Sequence, residues 1–160
     1  LTALIPLRAR DGSIRAHALI DAADVPLVEP WSWSLTSAGY AARGITVDGR
    51  VRQIMLHRQI LGLRSGDELD GDHINRDRLD CRRENLRVLP HAGRPNSQNM
   101  TRPPKTSAYR GVSWAAKRGQ WVAQVRADGR VIHLGYFGDE HDASEAARAA
   151  RRRFMPYAVD

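Results

Sequence analysis

Short runs of alternating residues, each closed by a tight-turn dipeptide, set the terms on which this 160-residue chain can fold. Asp48-Gly49 stands between Ile45-Thr46-Val47 and Arg50-Val51-Arg52, and Asp128-Gly129 stands between Gln124-Val125-Arg126 and Arg130-Val131-Ile132. An Asp-Gly pair tolerates the positive φ angles of a two-residue hairpin turn, and alternation sends successive side chains to opposite faces. Small antiparallel hairpins with short helices between them follow, an α+β class. Similar punctuation recurs earlier, at Asp11-Gly12-Ser13 and Ser37-Ala38-Gly39-Tyr40. Trp31 and Trp33, one residue apart, point the same way from a strand, as core or as a lid over the hairpin; base stacking is the lesser alternative.

Residues 54–63 read as a short amphipathic helix, with Ile54, Leu56, Ile60, Leu61 and Leu63 at apolar positions and Gly62 near its end. His57 lies on it and is expected to be a support residue. The segment TRPPKTSA, residues 101–108, combines two prolines with small polar residues and reads as a linker. Beyond it, runs 109–114, 120–126 and 130–137 alternate around turns at Lys117-Arg118-Gly119 and Asp128-Gly129, giving a three-stranded antiparallel meander. A helix follows, with Asp139 as N-cap and Ala143, Ala146, Ala147 and Ala150 in one stripe that lets it lie close to the sheet. The expected domains are thus 1–100 and 109–160, joined by 101–108; a chain of this length suits two small domains.

Charge separates the same two parts. Residues 1–93 hold 13 Arg against 12 acids, whereas residues 94–160 hold 12 Lys plus Arg against 6, so nearly all of the net charge of +7 lies in the second part. A basic block attracts polyanions in a salt-dependent way, although excess arginine also serves solubility. The single cysteine, Cys81, excludes an intrachain disulfide and a zinc site built on paired cysteines. No apolar run approaches the roughly 20 residues that span a bilayer, and the first residues carry no basic segment ahead of an apolar core. A soluble protein of a reducing, cytoplasmic compartment is expected, with no membrane partner.

The chemistry-bearing stretch is residues 69–88, LDGDHINRDRLDCRRENLRV, followed by Asn96-Ser97-Gln98-Asn99. Phosphodiester hydrolysis needs a water nucleophile, a group to take its proton and a cation at the phosphate. Asp72 offers a hard oxygen ligand, and His73 a base that titrates near neutrality. Neighbours on an extended strand point apart, so both serve one site only at a strand end or in a twisted loop. Arg76, Arg78, Arg82, Arg83 and Arg87 either contact phosphates or pair with Asp70, Asp77, Asp80 and Glu84.

Taken in order, GYAAR, MLHRQILGL, GDHINRDRLDCRRENLRV and NSQN, over about residues 30–100, resemble the His-Asn-His (HNH) endonucleases, particularly the homing branch found in phages and introns. The resemblance implies a ββα-metal motif over about 69–100 that holds one divalent ion, Mg²⁺ or Mn²⁺. It makes His73 the general base, Asp72 and Asn96 the metal ligands with Asn99 the alternative ligand, and Asn85 the catalytic-loop brace. Cys81 departs from the family, which usually has asparagine there, and is expected to lie in the loop away from the chemistry.

Residues 108–155, through YRGV, WVAQVR, LGYF and the Ala-rich helix, resemble the plant Apetala-two/ethylene-response-factor DNA-binding domain. That likeness places Arg110, Gln124, Arg126 and His133 on the sheet's open face at DNA-contacting positions, with Trp114 and Arg130 close by. Gln124 and His133 stand where Glu and Trp are usual, so a different target is implied. The combined expectation is a metal-dependent endonuclease acting on double-stranded DNA as a monomer or homodimer. A DNA-binding regulator with an inactive nuclease site is the alternative, and RNA cleavage or colicin-like killing a third.

Overall fold

A computed structural model describes residues 1–91, 98–99 and 106–160. The chain divides into two compact units, Leu1–Ala92 and Gly93–Asp160. Among the described residues, no helix is long and apolar enough to cross a membrane.

The first unit opens with the hairpin β1 (Thr2–Arg8) and β2 (Ile14–Asp21), paired from Thr2↔Asp21 to Arg8↔Ile14 with an irregularity at Leu7/Arg8. A short helix α1 (Val25–Val28) follows, then β3 (Ser34–Leu35), β4 (Ala41–Val47) and β5 (Arg50–Met55) in the order β3-β4-β5. The expected turn is present: Asp48 and Gly49 have φ of 52° and 71°, the double positive φ of a two-residue hairpin. Next come α2 (Leu56–Ile60), β6 (Leu69–His73) and β7 (Leu86–Pro90), the last two an antiparallel pair.

The core gathers Leu7, Ala18, Ile20, Val28, Trp33, Leu56, Ile60 and Cys81. Trp33 is 2% exposed and its indole N–H donates to the Val28 carbonyl at 2.9 Å, which satisfies its polar edge. Trp31 does not share that environment. It is 48% exposed, and the Arg43 guanidinium stacks 4.0 Å from its ring centroid, so the two tryptophans act separately. The helix expected over 54–63 is shorter because strand pairing with β4 carries Ile54 and Met55. Gly62, at φ 71°, ends its last turn, and the Leu63 N–H returns to the Arg58 carbonyl at 2.9 Å.

The second unit is the expected meander on one helix. β8 (Val112–Ala115), β9 (Gln120–Ala127) and β10 (Arg130–Phe137) are ordered β10-β9-β8 and covered by α3 (Glu140–Phe154). The Asp139 carboxylate accepts from the N–H groups of His141 and Asp142 at 2.7 and 3.2 Å, as an N-cap should. Ala143 and Ala147 are fully buried against Val112 and Ala123, so the alanine stripe does bring helix and sheet close.

Gln98 and Asn99, expected in the nuclease domain, belong to this second unit. The Gln98 side-chain oxygen accepts from the Tyr157 N–H at 3.1 Å and the Asn99 side-chain oxygen from the Val159 N–H at 3.3 Å, so both tie down the C-terminal residues. Of the expected linker, residues 101–105 lie outside the described residues; Thr106 and Ser107 accept from the N–H groups of Trp114 and Tyr109.

Gly111 fixes the entry to β8. Its φ is 84°, and a β-carbon there would lie 2.6 Å from the Gln124 carbonyl oxygen. Gly111→Ala is expected to destabilise the second unit by about 2 kcal/mol or more, from the left-handed backbone and the clash together. Urea unfolding followed by amide exchange in β9 measures the effect; a midpoint equal to wild type contradicts it.

Candidate active site and nucleic-acid interface

Strands β6 and β7 frame the site, with the intervening loop ending in a 3₁₀ turn at Arg83–Asn85. The loop is held by Asn85, which is 6% exposed. Its side-chain oxygen accepts from the Asn75 N–H at 2.9 Å, and its amide nitrogen donates to the Asp80 carbonyl at 2.7 Å. Its own carbonyl takes the Ile74 N–H at 2.8 Å. One buried amide thus joins both halves of the loop. Asn75 donates to the Asp80 carboxylate, and Leu79 and Cys81 exchange backbone bonds of 2.8 Å with Leu19 on β2.

His73 is the last residue of β6 and is 4% exposed. Its ring meets the His57 ring edge-on, with centroids 4.7 Å apart, and the Tyr40 ring at 5.9 Å. The Cys81 sulfur lies 3.6 Å from Nε2. Burial pulls the His73 pKa below its ordinary value, with Asp72, Asp77 and Asp80 opposing that shift and Arg78 adding to it, which favours a neutral imidazole. His57 is driven further, to about 3, by burial and by the neighbouring His73 and Arg58.

Gly71 makes this packing possible, because a β-carbon there would sit 2.7 Å from His57 Cδ2. The sequence points to His57 only as a support on its helix; the geometry makes it a wall of the base's pocket. Cys81 requires a correction. It is not remote from the chemistry but 1% exposed and against the His73 ring, because the backbone bond to Leu19 pulls its strand-like segment into the core. Tyr40 carries no signal beyond its place in the GYAAR run.

Asp72 faces away from that pocket. It pairs with Arg87 in the β6–β7 register, and its Oδ2 accepts from Arg87 Nε and Nη2 at 2.9 and 2.6 Å. The strand-end condition is met, but the contacts of Asp72 and His73 still fall on opposite sides of β6. Asn96, the expected second ligand, lies outside the described residues. Asn99, the alternative ligand, is 3% exposed within the second unit and bonded to the Val159 N–H.

The donor chemistry on β6, a single carboxylate oriented by a guanidinium, suits a hard divalent ion bound largely through water and phosphate oxygens. Among the described residues a group of three possible ligands, Asp139, His141 and Asp142, lies instead at the exposed start of α3, where Asp139 is already the helix cap.

Most arginines of the loop serve the fold. Arg82 forks onto Asp80 and reaches Glu84, Arg83 forks onto Asp24, and Arg78 donates to the Ala38 carbonyl while its guanidinium lies 4.9 Å from the Tyr40 centroid. Asp80 consequently sits below the usual carboxylate range, chiefly through its hydrogen bonds from Arg82.

In the second unit the register assigns the faces. Ala123, Val125 and Ala127 pack toward α3, while Gln124 and Arg126 project from the other side. His133 pairs with Gln124 and, past an irregularity in β10, Tyr136 pairs with Val122, so both rings share the open face, 4.8 Å apart. Arg118, which sequence reasoning missed, stacks 4.4 Å from the Tyr136 centroid. Three expected contacts lie elsewhere. Trp114 pairs with Trp121 on the side of Val112 and Ala123, the rings edge-on at 5.0 Å. Arg130 pairs with Ala127, on the helix side. Arg110 precedes β8 in a turn, and its guanidinium donates to the Gln98 carbonyl.

Residues 55–94 match the family model HNH_3, HNH endonuclease. The matched HNH segment runs from the end of β5 to just beyond β7 and contains His57, Asp72, His73, Cys81 and Asn85. No curated protein and no solved structure matches the chain. The HNH assignment therefore rests on this segment and marks the chain as carrying a nuclease domain.

A histidine kept neutral by the fold ties stability to acid. The folded pKa of His57, about 3, lies below its ordinary 6.5, so its contribution is complete above about pH 6.5 and is lost as pH falls toward 3. His57→Phe, which cannot protonate, is expected to flatten the fall of the first unit's urea midpoint across that window. The same slope in variant and wild type counts against a neutral buried His57.

Proposed function

We propose that the protein is a metal-dependent DNA endonuclease of the homing type, with the second unit as its DNA reader. The observation that carries this reading is the coincidence of the HNH match with a buried, loop-braced histidine beside a carboxylate on one strand. In this reading His73 takes the proton of the attacking water, and the neutral ring favoured by burial is the form able to accept it. Asn85 fixes the loop through its two side-chain hydrogen bonds. Asp72 and Asn96 hold a Mg²⁺ or Mn²⁺ ion, whose charge stabilises the phosphate and the leaving oxygen. Arg87 orients the Asp72 carboxylate.

The second unit resembles the ethylene-response-factor domain in sequence and has three strands on one helix; its reading face is Gln124, Arg126 and His133, with Tyr136 and Arg118 beside them. Arginine and glutamine on an antiparallel sheet match guanine and adenine edges in the major groove. A single site cuts one strand, so a monomer nicks and a dimer breaks both. The pairing of such a reader with a nuclease suits a mobile phage element in a bacterial cytoplasm.

The near-complete burial of His73 and the Arg87 fork on Asp72 favour one second reading, a DNA-binding regulator whose nuclease site is silent. Supercoiled plasmid with Mg²⁺ separates the two. Wild type is expected to nick and His73→Ala to lose at least about a hundredfold in rate; wild type that binds without nicking upholds the regulator. For the reading face, Arg126→Ala is expected to weaken binding to duplex DNA about tenfold at fixed salt. Fluorescence anisotropy measures it, and undiminished affinity refutes the assignment of that face.

A further inference from the structure

Cys81 and His73 meet in the core of the first unit, where the thiol has two polar neighbours. Its sulfur lies 3.6 Å from His73 Nε2 and 4.0 Å from the Arg78 carbonyl oxygen. A carbonyl only accepts, so the S–H points to Arg78, leaving a sulfur lone pair for the imidazole. Burial keeps the sulfur a neutral thiol, its pKa pushed up to about 12. A sulfur acceptor at Nε2 selects the ring tautomer that carries its proton there. The His57 and Tyr40 rings close on the same imidazole, so the ring has little room to turn over.

We infer that Cys81 is a positioning residue that holds His73 with its proton on Nε2 and so leaves Nδ1 as the nitrogen that receives the proton of water. The inference rests on the reading of His73 as general base. The proton balance is simple. Water gives one proton to the Nδ1 lone pair, the ring becomes imidazolium with Nε2–H retained, and the hydroxide forms the new P–O bond as the bond to the leaving oxygen breaks. A base held in the wrong tautomer has no lone pair to offer, and such errors cost catalysis heavily even with geometry intact. Cysteine suits this role because a thiol is small enough for a core position that is 1% exposed and still offers a weak acceptor.

The test uses the full chain labelled with ¹⁵N-histidine. Long-range ¹H–¹⁵N correlation spectra at neutral pH, without metal or DNA, are expected to show His73 protonated at Nε2. Cys81→Ser, which keeps an acceptor, is expected to preserve that state, and Cys81→Ala to mix the two tautomers. With Mg²⁺ and supercoiled plasmid, Cys81→Ala is expected to lower kcat about tenfold or more at unchanged KM, with Cys81→Ser near wild type. His73 protonated at Nδ1 in wild type overturns the inference, as does an alanine variant with wild-type tautomer and kcat. Wild type without any metal-dependent nicking refutes His73 as the base instead, while the spectra still decide what Cys81 does to the ring.

Discussion

The buried side chain of Asn85 is the interaction on which the first unit's site depends. Eleven residues separate His73 from Asn85 in the loop between β6 and β7, too long for a tight turn and without a core of its own. The amide supplies one acceptor and one donor at opposite points of that loop, to Asn75 and Asp80, while its backbone carbonyl takes the hydrogen bond of Ile74. Each such bond contributes about 1 kcal/mol net, but leaving buried partners unmatched costs more, so the three bonds fix the loop as a unit. Asn85 also adjoins β7, so the same residue that shapes the loop sets where Leu86 pairs with His73.

Around that brace the arginines divide by location. In the first unit Arg82, Arg83 and Arg87 are each engaged by carboxylates of the unit itself, two of them, Asp24 and Asp80, nearly buried. Forked guanidinium–carboxylate pairs are directional, and here they join loop to loop. In the second unit, Arg118 and Arg126 take part in no ion pair among the described residues; Arg118 lies against an aromatic ring and Arg126 projects from an open sheet face. The same residue type is cement in one unit and exposed charge in the other.

Much of this was legible in the sequence where local chemistry dictates structure. Asp48-Gly49 and Asp128-Gly129 need positive φ and have it, Asp139 caps its helix, and the alanine stripe lies on the sheet. Asn85 as loop brace followed from a family likeness, and its hydrogen bonds agree with that role. What was not legible depends on tertiary neighbours. Cys81 looked like a loop residue because nothing local reveals the bridge to Leu19; the faces of Trp114 and Arg130 depend on strand register. Arg110 followed the sheet pattern by sequence alone, yet it precedes β8, where Gly111 turns the chain. The partners of Arg83 and Arg87, Asp24 and Asp72, lie across the fold or across a strand pair, beyond the acids close by in sequence.

The hairpin of β4 and β5 carries one further implication. β5 is the outer strand of its sheet, and Val51, 77% exposed, sits on it between the exposed Arg50 and Arg52. An outer strand with open backbone groups and an apolar side chain is a template on which a second chain can zip. Like charges set every second residue along that edge make the approach of an identical strand electrostatically costly. The two arginines thus protect the protein from its own copies at high concentration, and neutralising them trades solubility for fibre-like self-association.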